Sequence, residues 1–106
     1  MKLIDFIPYV RNDNSVKELY VKEQLNLESE VVLVYMTESL KFESELKFFD
    51  IEETDDDLYY KNNGISYIQL FPLDYIVELV NSGLDVQDLS NQEVAKTLLN
   101  YRIKDA

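Results

Sequence analysis

The chain has 106 residues, carries 21 Asp and Glu against 10 Lys and Arg, and contains neither histidine nor cysteine, for a formal net charge of −11. Its length fits a single domain over residues 1–106, and 46% hydrophobic residues, eight Tyr and five Phe among them, are more than a disordered chain carries. The missing cysteine excludes disulfides, thiolate metal sites and thiol nucleophiles and fits a reducing compartment, so a cytoplasmic location is expected; the charge opposes direct binding to nucleic acid or to an anionic membrane surface.

Residues Met1 to Tyr9 pull in two directions. Leu3, Phe6, Ile7 and Val10 have helical spacing, whereas Pro8 breaks a helix interior, and an edge strand or irregular arm is expected. Asp5 and Pro8 also interrupt any apolar region of a signal peptide, and no segment reaches the ~20 apolar residues of a membrane span. Ser15 with Glu18 forms a capping-box pattern that opens a helix through about Asn26, with Val16, Leu19 and Tyr20 inward.

Val31 to Met36 reads as a central strand buried on both faces. Leu40, Phe42, Ser44, Leu46 and Phe48 alternate with charged residues, the pattern of a half-buried strand. Leu58 to Lys61 is a further strand, and Asn62-Asn63-Gly64 supplies the positive φ values of a hairpin into Ile65–Leu70. Pro72 is placed as the first residue of a helix carrying Leu73, Ile76, Val77 and Val80 inward, with Gly83 as its C-cap. Ser90 and Glu93 form the capping box of a last helix. Its inner residues are Val94, Leu98 and Tyr101, and Arg102 and Lys104 oppose the negative end of its dipole. Strands in the middle and helices at both ends predict an α+β fold: an antiparallel sheet of about four strands with helices packed on one face.

The chemistry available is narrow. Without histidine or cysteine, catalysis would fall to carboxylates, lysine, tyrosine or serine, and none stands in a supporting motif, so no enzyme, catalytic residue or cofactor is expected. A calcium loop is not expected either, because Asp55, Asp56 and Asp57 are consecutive, no glycine follows at the sixth position and Ser66 occupies the twelfth.

The most informative segment is acidic. Between Glu43 and Asp57 lie Glu43, Glu45, Asp50, Glu52, Glu53, Asp55, Asp56 and Asp57 against Lys47 alone, a formal charge of −7 within fifteen residues. Phe42, Leu46, Phe48, Phe49 and Ile51 are interleaved with them, and the three phenylalanines read as core. Tyr59 and Tyr60 follow. Such a block serves either as a solvated loop that discourages strand aggregation or as a docking surface for a basic protein, with a contact set of ten residues: the eight acids just named, Tyr59 and Tyr60.

In its size, its acidity and the EETDDDLYY segment from Glu52 to Tyr60, the chain resembles the small bacterial immunity proteins of toxin–immunity pairs of the contact-dependent growth inhibition type. That resemblance implies a cytoplasmic antidote that neutralises a basic toxin, such as a nuclease domain, by blocking its active site or an exosite. The alternative is a nucleic-acid mimic of the anti-restriction or anti-CRISPR kind. The segments on either side of the block carry only −2 each, so the charge is local rather than spread, which favours the antidote.

Overall fold

A computed structural model describes residues 1–25, 28 and 31–105. Four strands, β1 (Val32–Thr37), β2 (Leu46–Asp50), β3 (Tyr59–Asn62) and β4 (Ile65–Pro72), form one antiparallel sheet in the order β2-β1-β4-β3. The expected α+β architecture is therefore present. Helices α1 (Leu3–Val10), α2 (Asp13–Lys22), α4 (Leu73–Glu78) and α5 (Asn91–Asp105) supply the main core with the sheet, and the single turn α3 (Ile51–Thr54) lies on the other face.

β1 organises both layers. Its residues alternate in direction, so Val32, Val34 and Met36 join the helix-side core with Leu46 and Leu70, whereas Leu33 and Tyr35 join Phe49 and Tyr67 on the far side. All five β1 residues from Val32 to Met36 are buried, as a strand paired on both edges and covered on both faces requires. Phe48 and Phe49 consequently point to opposite layers. Phe48 packs 5.8 Å from Phe6 of α1, and Phe49 enters the far-side cluster.

The N-terminal segment is a helix, not a strand. Leu3, Phe6, Ile7 and Val10 are all fully buried, and burying four such side chains contributes about 1.5–3 kcal/mol each. That outweighs the roughly 3 kcal/mol cost of Pro8 inside the helix, and Pro8 sits on the exposed side. The Lys2 N–H donates to the Asp5 carboxylate at 3.2 Å, which caps the first turn.

α2 ends at Lys22, short of the expected Asn26, which lies outside the described residues. Gln24 takes a left-handed conformation (φ 54°), its N–H donates to Val21 O, and the Leu25 N–H donates to Tyr20 O at 2.8 Å. These two bonds are the Schellman termination, made here with glutamine where glycine is usual. No glycine marks the stop in the sequence.

The alternating segment from Leu40 does not pair as a strand. Residues 38–44 turn back on themselves, with the Ser44 hydroxyl donating to Ser39 O at 2.7 Å, and pairing with β1 begins at Leu46 opposite Met36. β2 then runs two residues past the expected end. Phe42 still packs against the helix-side core, with the Lys96 ammonium of α5 5.6 Å from its ring centre.

The β3–β4 hairpin turns at Asn63 (φ 53°) and Gly64 (φ 80°), as the Asn-Asn-Gly sequence predicts. Pro72 closes β4 in an extended conformation and precedes α4 rather than opening it. Gly83 is no left-handed C-cap. α4 widens into a π-turn over Leu79–Gly83, closed by the Leu84 N–H to Leu79 O at 2.8 Å, and a Cβ on Gly83 would stand 3.1 Å from Leu79 Cδ2. Left-handed backbone appears two residues later, at Asp85.

Arg11 fastens this connection to the rest of the molecule. Its guanidinium donates to Leu89 O (2.8 Å), Gln87 O (2.9 Å), Asn91 Oδ1 (3.1 Å) and Val86 O (3.4 Å). The capping box of α5 is formed as read, with Glu93 N–H donating to Ser90 Oγ and Ser90 N–H to the Glu93 carboxylate. Val94 and Leu98 are buried beneath it. Arg102 is not a solvated charge at the helix end: it is 7% exposed and its Nε donates to Gln69 O of β4 at 3.1 Å.

The acidic strap as candidate functional site

β2 and β3 occupy opposite edges of the sheet, so the chain between them crosses β1 and β4. The crossing segment is residues 51–58, and it passes over the face that the four longer helices leave open. Its single turn α3 exposes Glu52 and Glu53, and Asp55, Asp56 and Asp57 follow, all exposed. This acidic strap holds five of the ten residues expected to contact a partner.

Beneath it lies an aromatic layer. The Phe49 ring makes edge contacts with Tyr35 (5.5 Å), Tyr60 (5.1 Å) and Tyr67 (5.3 Å), and Tyr60 stacks near Tyr67 at 6.5 Å. Leu33, Val31 and Ile51 pack with these rings. The large area these rings bury gives the second face a small core of its own.

A buried polar contact set ties the strap to that layer. The Tyr35 hydroxyl donates to Asp57 O at 2.6 Å, and Thr54 Oγ1 lies 2.9 Å from the same hydroxyl. With the tyrosine proton directed at the carbonyl, the threonine hydroxyl is the donor in the second contact. The Gln69 amide nitrogen, from β4, sits 3.2 Å from Asp56 Oδ1, 3.3 Å from Asp57 O and 3.4 Å from both Asp56 O and the Tyr35 hydroxyl. Tyr35, Thr54 and Gln69 are all buried. Burial holds the Tyr35 hydroxyl above the usual tyrosine pKa; its bonds to Thr54 and Gln69 act in the opposite sense, and the nearby Asp56 and Asp57 charges add to the rise.

These contacts hold a backbone that would not adopt its shape unaided. Asp55 (φ 53°) and Asp56 (φ 59°) are consecutive left-handed residues, each costing about 1–2 kcal/mol for an ordinary L-residue and less for aspartate, which hydrogen-bonds locally. The strap is thus fixed in position. Among the described residues no lysine or arginine forms an ion pair with Glu52, Glu53, Asp55, Asp56 or Asp57.

The other expected contact residues are spread more widely. Glu43 and Glu45 are exposed before β2 and the strap follows it, so the roughly 13 Å length of that strand lies between them. Glu45 accepts from the Met1 amino group at 3.0 Å. Asp50 is half-buried where β2 meets α3. Tyr59 is 74% exposed, whereas Tyr60 is half-buried in the aromatic layer. The acidic block of the sequence is therefore two groups in space.

Tyr35, Thr54 and Gln69 escaped the sequence reading. Their signal was a glutamine in the otherwise apolar run Tyr67–Phe71, since an amide that deep needs a partner, and the partner was the acidic loop.

No helix among the described residues is long and apolar enough to cross a membrane, and no group of three acidic, histidine or cysteine side chains is placed to hold a metal ion. No protein-family model, curated protein or solved structure matches the chain.

Proposed function

We propose that this protein is an acidic docking protein that binds a basic protein partner and blocks its working surface, and that, by the resemblance carried by Glu52–Tyr60, the partner is a toxin, a nuclease domain being the basic kind expected. The observation that supports this is the strap. Five carboxylates without an ion-pair partner among the described residues are held on a fixed backbone above a packed layer. A solubilising loop needs the charge but not the buried Tyr35, Thr54 and Gln69 contacts that immobilise it. Fixed charge favours rapid, oriented encounter with an opposite surface, because little ordering remains at the moment of binding. The protein acts by occupancy and carries out no reaction.

The test is to isolate the cognate partner by co-purification and measure association with Glu52, Glu53 and Asp57 changed to Lys. Association slows and its dependence on salt flattens, while folding stability changes little because these side chains are exposed. On-rates equal to those of the unchanged protein at low and at high salt would assign the strap to solubility alone.

A further inference from the structure

The two edges of the sheet are treated differently. Beside β2, the Leu46 N–H donates to Met1 O at 2.8 Å and Lys2 bridges to Glu45, so Met1 and Lys2 cover the first residues of that edge. β3 pairs with β4 alone. Gln69 N–H donates to Leu58 O, and Asn62 pairs with Ile65 across the turn. With alternating direction, Leu58, Tyr60 and Asn62 turn their backbone groups towards β4 while Tyr59 and Lys61 turn theirs outward. Among the described residues nothing accepts from or donates to those outward groups.

The same edge concentrates exposed apolar surface. Tyr59 (74% exposed), Leu58 (55%) and Ile65 (39%) all belong to this hairpin and its approach, and a cavity of about 260 Å³ lies against Glu38, Tyr59, Lys61 and Tyr67. Charge identifies what would cover it. Asp55, Asp56 and Asp57 lead directly into β3, Glu38 flanks the cavity, and Lys61 is the one cation of the strand.

Resting on the docking reading above, we infer that β3 is where the partner engages: an extended segment of the partner bearing Lys or Arg adds as a fifth strand beside Tyr59–Asn62. Its backbone would bond the outward N–H and C=O groups of Tyr59 and Lys61, and its basic side chains would face the strap. Strand addition draws affinity from the main chain and selectivity from alternate side chains. A second copy of this chain fits less well, since it would bring another −11 to an edge already led by three aspartates.

The probe is a capped heptapeptide alternating Lys and Val, compared with the same peptide N-methylated at alternate residues, which keeps the charge and removes the strand-forming donors. Titration into the isotopically labelled full chain, with amide exchange read residue by residue, gives protection at Tyr59 and Lys61, and the methylated peptide binds about tenfold or more weakly. Lys61→Pro removes one outward N–H without touching the ladder and weakens binding similarly, while Lys61→Ala retains it; if the proline variant does not fold, the peptide pair decides alone. Equal binding of both peptides, with changes confined to residues 52–57, overturns strand addition and leaves the acidic docking surface standing. Absence of binding by either peptide at low salt counts against both readings. Concentration-dependent dimers that protect Tyr59 and Lys61 without peptide would assign the edge to self-association and overturn the inference.

Discussion

The Tyr35 hydroxyl, in the middle of the central strand, donates to the carbonyl oxygen of Asp57 at 2.6 Å, so the most buried tyrosine of the molecule carries the most acidic stretch of its surface. Removing that hydroxyl takes a donor from the Asp57 carbonyl and an acceptor from Thr54 and the Gln69 amide. Tyr35→Phe is expected to cost about 1–3 kcal/mol. Chemical denaturation measures the loss, and hydrogen exchange should show it concentrated at residues 54–58; uniform exchange changes across the sheet would mean the hydroxyl does not hold the strap.

The same hydroxyl predicts a response to alkali. Its pKa is raised in the folded state, so the folded protein holds this proton more tightly than the unfolded chain. The stability it contributes is complete below the ordinary tyrosine pKa of about 10 and is lost as pH rises from there through the folded value. Denaturation midpoints followed from pH 8 to 11.5 should fall more steeply for the unchanged protein than for Tyr35→Phe. Parallel curves would assign the alkaline loss to the other tyrosines.

Arg11 should matter more than a partly exposed arginine ordinarily does. Its guanidinium bridges three carbonyl oxygens and Asn91 in the 86–91 connection. Arg11→Ala is expected to destabilise by about 1.5–3 kcal/mol, as the loss of charge-assisted bonds does, and Arg11→Lys to recover only part, because an ammonium lacks the planar fork. Thermal melts of the two variants decide; full rescue by lysine would show that charge alone suffices.

Ile76 and Leu98 are both fully buried between helices and sheet. Changing either to Ala should cost about 2–5 kcal/mol as core truncation. A melt unchanged in either variant would place its helix face outside the core.

Much of this was legible in the sequence, and the exceptions have physical causes. β1, the Asn62–Gly64 hairpin and the Ser90–Glu93 capping box could be read because each rests on local chemistry within a few residues. The N-terminal helix is not legible locally, because the cost of Pro8 is local whereas the four side chains that offset it are buried by α1 against distant elements. The stop at Gln24 could not be read, since the backbone there takes a glycine-like conformation without glycine. In the candidate site the acids were visible, but their support was not: Tyr35 and Gln69 meet Asp56 and Asp57 only through pairing of β1 with β4, which brings Tyr35 opposite Gln69 across 34 positions of chain.

That pairing also has a consequence for folding. β1–β2 and β3–β4 are each hairpins of nearby residues, and the strap is the tether between them. Pairing residues distant in sequence costs more loop-closure entropy than closing a local hairpin, so docking of the two halves, which joins Tyr35 to Gln69 and fixes the aspartates, is expected to come last. A nascent or half-folded chain would carry the same charge with no defined shape. Full display of the acidic surface is in this way conditional on complete assembly of the sheet, and under the proposed docking role a partner would capture only the finished fold.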